Sequence, residues 1–175
     1  MALRSWRFVT LLLAALALTM TSAHLLELPQ KMEYSAELYS MVNTTMYRYF
    51  AIVGGAYTVG SILSAAVLAA LVRHRGATFR WTTVGLAFLC LAFASWLALV
   101  APVNQRIAAA LERAPDTVPA MWQLLRDRWE YGHATGFVLQ LVGFAALVVS
   151  VLVETPGGRE PRDGNQGRED GSVAD

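Results

Sequence analysis

The sequence predicts an all-α fold: a four-helix transmembrane bundle with a short outer amphipathic helix and a disordered C-terminal tail. Three observations carry this. Of the 175 residues, 55% are hydrophobic and 15% charged, and the mean hydropathy is +0.42, more apolar than a typical soluble domain with about 25% charge. The charges also avoid four long stretches. Residues 49–72, 81–103 and 133–153 contain no Asp, Glu, Lys or Arg, and residues 8–28 contain only Glu27, at the far end. Each stretch can cross a hydrocarbon core about 30 Å thick, which needs about 20 residues. Finally, the chain beyond residue 154 is rich in Gly, Arg, Asp and Glu, with Pro156 and Pro161. Such a segment has little apolar surface to bury and stays disordered. The chain thus divides into a membrane domain, 1–154, and a tail, 155–175.

The first span, residues 8–28, ends at Pro29, which lacks the N–H that a helix interior needs. Arg4, Arg7, the apolar run and Thr21-Ser22-Ala23 also fit a signal peptide cleaved after Ala23. Against cleavage, the run continues through Leu25, Leu26 and Leu28 to a full span. Residues 31–45 carry Glu33, Glu37, Leu38, Met41 and Val42 at helical spacing, which predicts an amphipathic helix on the outer surface. Tyr47, Tyr49 and Phe50 then suit the aromatic belt where the second span begins. Ala56, Gly60 and Ser64 lie four apart on that span, a pattern that favours close helix packing in lipid.

The third span, 81–103, holds Cys90 at its middle, where a small buried hydrophobe is the expected role, and Pro102 bends its outer end. Residues 107–113 extend this helix, and Ala114-Pro115-Asp116 breaks it. Thr117 is the expected N-cap of a last helix that has Pro119 in its first turn and runs into span four. Along it Trp122, Arg126, Trp129, His133, Gly136 and Gln140 recur at steps of three or four. A lipid-facing stripe would not hold His, Gln and Arg, so this one faces the bundle.

Topology follows from the short flanks. Arg4 and Arg7 precede span one, and Arg73, Arg75 and Arg80 fill the loop between spans two and three. With four spans these fall on one side, which the positive-inside rule makes cytoplasmic. Both termini are therefore expected in the cytoplasm, in a multi-pass protein surrounded by the lipid bilayer. A net charge of +1 argues against nucleic-acid binding. His74, in Arg73-His74-Arg75, reads as a solvated loop residue.

The candidate site comes from two mirrored motifs. His24-Leu25-Leu26-Glu27 closes span one and Glu130-Tyr131-Gly132-His133 opens span four. Residues three apart share a helix face, about 4.5 Å apart along the axis. In antiparallel spans the reversed order puts both histidines at one depth and both glutamates nearer the water. Ionisable groups at membrane depth are costly and point to function. Asn104 and Trp129 lie close to the same level.

Three chemistries suit this set. His24, Glu27, Glu130 and His133 are ligand types for a single transition-metal ion. A dinuclear site of the four-helix di-iron kind would need carboxylates that spans two and three lack. Alternatively, no cofactor is needed: a histidine beside a glutamate, sheltered from water, abstracts a proton from an acidic carbon or phenol. Trp129 and the tyrosines would wall a flat, hydrophobic small molecule, with Glu130, Arg126 and Gln140 as further binding groups. The plain alternative is structural, with Glu27 paired to Lys31, weakened by Pro29, and Arg126 paired to Glu130 at i,i+4.

The segments Ala23-His24-Leu25-Leu26-Glu27-Leu28-Pro29-Gln30-Lys31, Val103-Asn104-Gln105-Arg106-Ile107 and Arg128-Trp129-Glu130-Tyr131-Gly132-His133 resemble the anthrone oxygenase-like family of small four-span membrane proteins. The similarity runs over roughly residues 8–153. It implies oxidation of anthrones to anthraquinones with molecular oxygen and no added cofactor. It also implies that Asn104, Trp129 and His133 match the family's polar positions, and His24 and Glu27 the polar end of its first helix. The expected function is thus a membrane oxygenase or oxidoreductase acting on an aromatic or quinone-like compound in an outer-leaflet pocket. The alternatives are a non-catalytic accessory subunit of a membrane complex and a His/Glu metal-binding membrane protein. A homo-oligomer or a membrane protein partner stays open.

Overall fold

A computed structural model describes residues 2–154; the tail expectation, 155–175, lies outside the described residues. Every regular element among them is helical. They are α1 (Ala2–Met32), α2 (Ala36–Thr45), α3 (Arg48–Leu71), α4 (Gly76–Leu99), α5 (Ala101–Arg113), a 3-10 turn (Pro115–Thr117) and α6 (Val118–Leu152). Four segments are long and apolar enough to cross a membrane: Ala2–Met32, Tyr49–Leu71, Gly76–Arg113 and Pro115–Leu152. At most 33% of any of these apolar windows is buried within the protein. Phe8, Ile52, Leu63, Leu91 and Val138 instead stand exposed on the outside, a surface that suits hydrocarbon and not water. This is a multi-pass membrane protein.

The helices alternate in direction, so the start of α1, the α3–α4 turn and the end of α6 share one end of the bundle. Glu154 ties them: its carboxylate pairs with Arg7 and with Arg75. Nearby, Trp6 Nε1 donates to the Ser64 carbonyl at 3.0 Å, and the Thr10 and Ser64 hydroxyls bond at 2.7 Å. Gly76 adopts φ +40° in the tight α3–α4 turn, a conformation that costs glycine little.

The closest helix contact is between α4 and α6. A Cβ on Gly85 would meet Leu147 at 2.8 Å and the Gly143 carbonyl at 3.0 Å. The small-residue face expected on span two packs less tightly. A Cβ on Gly60 would meet only Leu13, at 3.6 Å, an ordinary contact, and Ala56 is exposed. Cys90 is also exposed, not buried as expected. In an apolar span a thiol tolerates a lipid-facing position as readily as a core one.

Four departures from the sequence expectation shape the end of the bundle opposite Glu154. α1 does not stop at Pro29 but continues one turn to Met32. A proline there removes a single hydrogen bond close to the helix end, and the last turn survives. That turn carries Lys31 to the bundle interior. Second, α2 spans Ala36–Thr45, with Ser35 as its N-cap accepting from the Leu38 N–H. It buries Tyr39, Ser40 and Asn43 while Glu37, Leu38 and Met41 point outward, a division of faces that the residue spacing did not assign. The tyrosine and asparagine find polar partners inside, and the outward apolar groups suit lipid.

Third, Pro102 does more than bend α4: the helix breaks at Val100 and restarts as α5. Proline leaves the carbonyl four residues back, that of Ala98, without its helical donor. Arg128 supplies one, with Nη2 donating to Ala98 at 2.7 Å and Nε to Leu99 at 3.2 Å. Fourth, Thr117 precedes α6 but its hydroxyl donates to the Ala114 carbonyl at 2.7 Å and does not cap the helix. A hydrophobic core at this end forms where these pieces meet, from Tyr39, Val100, Val103, Ile107, Trp122 and Trp129.

Candidate active site

The two mirrored motifs meet. The His24 and His133 rings stack with centroids 4.0 Å apart and planes 26° apart. Trp129, one turn before His133, sets its ring 4.4 Å from His133 and 5.1 Å from His24. Tyr47, in the α2–α3 turn, stacks on the other face of His24 at 4.8 Å. Asn104 on α5 orients the indole: its Oδ1 accepts from Trp129 Nε1 at 2.9 Å. At Gly132 the α4–α5 break comes so near that a Cβ would sit 2.9 Å from Val100. The glycine therefore lets the aromatic cluster form against that break.

These residues wall a cavity of about 210 Å³. His24, His133, Trp129, Asn104, Trp122 and Gln140 all line it, with Phe50, Phe93 and Trp96 adding aromatic surface. At its deep end Thr21 Oγ1 donates to Gln140 Oε1 at 2.9 Å. An apolar, aromatic hollow with a few convergent polar groups is the usual form of a small-molecule site.

The carboxylates face away from this cavity. Glu130 is 1% exposed, and its Oε1 accepts from the Tyr39 hydroxyl at 2.7 Å. Glu27 accepts from the Tyr47 hydroxyl. Lys31 lies between them, with Nζ 3.2 Å from Glu27 and 3.5 Å from Glu130. The same ammonium sits 4.1 Å from the centre of the Tyr47 ring, a cation–π contact that adds to the ion pairs. Burial, reinforced by Glu130, raises the Tyr39 phenol above its ordinary range, and burial with Glu27 does the same for Tyr47. Both tyrosines thus stay protonated donors.

Three expectations about this set need correcting. Among the described residues, no three His, Cys, Asp or Glu side chains are placed to hold one metal ion. The four donors divide instead: the imidazoles stack on each other beside the cavity, and the carboxylates turn to Lys31. Arg126 does not pair with Glu130. Its Nη1 donates to the Tyr34 carbonyl at 2.9 Å, which ties α6 to the end of α1. Neither Arg126, Glu130 nor Glu27 lines the cavity; Glu27 lines a shallower recess beyond Tyr47.

No family model, curated protein or solved structure matches this chain. The site therefore rests on its own geometry. That geometry bears out the i,i+4 pairing of Lys31 with Glu27 and adds Tyr39, Tyr47, Asn43 and Thr21 to the site. Of these four, Thr21 carries a spacing signal, since it lies three residues before His24 and so on its face.

Proposed function

We propose that this protein is a membrane oxygenase for a flat, hydrophobic aromatic or quinone-like compound, using histidine acid–base chemistry. The observation that supports it best is the pair of stacked imidazoles, His24 and His133, in the wall of an aromatic cavity. The resemblance to the anthrone oxygenase-like family supplies the reaction class. An anthrone-type substrate has an acidic CH2 between aromatic rings. His133 takes one of its protons, and the resulting carbanion reduces molecular oxygen as a C–O bond forms. Proton return gives a hydroperoxide. Removal of the second C–H proton expels water and leaves the ketone, so that CH2 and O2 become C=O and H2O. Carbon supplies all four electrons, and no further reductant is required.

In this reading Trp129, held by Asn104, stacks against the substrate and positions it. Glu27, Glu130 and Lys31 act one layer back, by fixing Tyr47 and Tyr39 around the histidines. The Arg-rich flanks of spans one, two and three favour an orientation with the Glu154 end toward the cytoplasm and the cavity in the outer half of the bilayer. The test is oxygen uptake by the purified full-length chain supplied with anthrone. Wild-type protein should consume oxygen, and His133→Ala should not, at unchanged thermal stability. Full turnover in that variant, or none in the wild type, overturns the proposal. Stable co-purification with a membrane partner and no turnover would instead favour the accessory-subunit reading.

A further inference from the structure

Two of the tryptophans that line the cavity are treated differently by the protein. Trp129 has its indole N–H satisfied by Asn104 at 2.9 Å. Trp122 is 3% exposed, yet its Nε1 has no hydrogen-bond partner. Its ring is held in place against Tyr39 at 5.3 Å and Trp129 at 5.7 Å. Asn43, on the inward face of α2, repeats the pattern. It is 8% exposed, and its Nδ2 donates to the Tyr39 carbonyl at 2.9 Å. That bond settles which way the amide lies. Its Oδ1 is then left buried and without a partner. Both residues line the cavity, and both pack around Tyr39.

Buried polar atoms are nearly always paired, so each orphan calls for a partner. Here one orphan is donor-only and the other acceptor-only. The smallest group that answers both is a hydroxyl, which accepts with its oxygen and donates its proton. We propose that Asn43 Oδ1 and Trp122 Nε1 form a hydrogen-bonding subsite at the outer end of the cavity for a hydroxyl of the ligand. This rests on the reading of the cavity as a small-molecule site, though not on the oxidation chemistry. His24 Nδ1 is also buried and unpartnered, and its ring lies among Tyr47, His133 and Trp129. The subsite therefore orients an aromatic ligand, with its hydroxyl under α2 and its far rings against the histidines. α2 acts as the recognition element, which accounts for Asn43 being turned inward on it.

The test uses the full chain in lipid nanodiscs and three probes of one shape, titrated calorimetrically against empty nanodiscs. 2-Naphthol donates and accepts, 2-methoxynaphthalene only accepts, and 2-methylnaphthalene does neither. A net hydrogen bond corresponds to about two- to tenfold in affinity. 2-Naphthol should bind wild-type protein by about that factor more tightly than 2-methoxynaphthalene. Asn43→Leu should erase this difference. Trp122→Phe, which keeps a ring and removes the N–H, should weaken both oxygen-bearing probes and leave 2-methylnaphthalene unchanged. Retained 2-methylnaphthalene binding also shows that a variant is folded; should Asn43→Leu not fold, Trp122→Phe decides alone. Equal binding of all three probes to the wild type, or undiminished binding of both oxygen-bearing probes to Trp122→Phe, overturns the subsite and assigns the two atoms to water. If no probe binds above the blank, the cavity is not a small-molecule site and the broader functional reading falls with it.

Discussion

Replacing Lys31 by methionine removes the cation from between Glu27 and Glu130 while keeping most of its aliphatic length. The two pairs differ in worth. Lys31 and Glu130 have side chains 3% and 0% exposed, with nitrogen and oxygen 3.5 Å apart. At an effective dielectric constant of about 20 their attraction is about 5 kcal/mol. The Glu27 side chain is 38% exposed, so water screens that pair to about 1 kcal/mol or less. Desolvation offsets part of the buried term, and breaking such a pair from one side costs about 3–5 kcal/mol. Lys31→Met should lose that much. Glu130→Gln should lose less, about 1–2 kcal/mol, since glutamine still accepts from Tyr39 and Lys31 keeps Glu27. The double variant should lose less than the sum, by about 1–3 kcal/mol, because no buried unpaired charge remains and Glu27 is open to water. Reversible unfolding of the full chain in mixed detergent micelles, followed by circular dichroism, measures all four. Additivity within about 0.5 kcal/mol would show that Lys31 and Glu130 do not interact as described.

Two further predictions address the frame around the site. Gly85→Ala should destabilise the protein by about 1–3 kcal/mol through overpacking; Leu147→Ala in the same chain should relieve only part of it, because the Gly143 carbonyl is also in the way. A Gly85→Ala variant as stable as the wild type would contradict the close α4–α6 crossing. Arg128→Ala should cost about 0.5–1.5 kcal/mol by freeing the Ala98 and Leu99 carbonyls. It should also speed amide hydrogen exchange around the α4–α5 break, and unchanged exchange there would refute Arg128 as the stabiliser of that break.

The four spans were readable because charges are expensive in hydrocarbon, and an apolar run of about 20 residues without them has the length of a membrane crossing. The approach of His24 and His133 was readable for a related reason: antiparallel helices of like length bring the ends of spans one and four to one level. The division of labour within the motifs was not. Spacing gave the Glu27–Lys31 pair, which the structure keeps; reading Pro29 as a stop discounted it and hid the reach of Lys31 to Glu130, 3.5 Å away. The tyrosine that holds Glu130 carries no spacing signal: Tyr39 and Glu130 are 91 positions apart. The orientation of α2 was equally hidden. Hydrophobic periodicity assigns a buried face only when water lies on the other side, and where lipid does, the polar face can be the inner one.

The Glu154 clamp bears on how the chain is made. Arg7 and Glu154 are 147 positions apart, so the carboxylate that receives Arg7 leaves the ribosome only after every span. Until then Arg7 and Arg75 face each other at the bundle end with like charge and no counter-ion from the chain. The last helix carries both His133, for the pair with His24, and, just past its end, the carboxylate that neutralises Arg7 and Arg75 at the opposite end. A chain that stops short of this helix has neither the completed cavity nor the clamp.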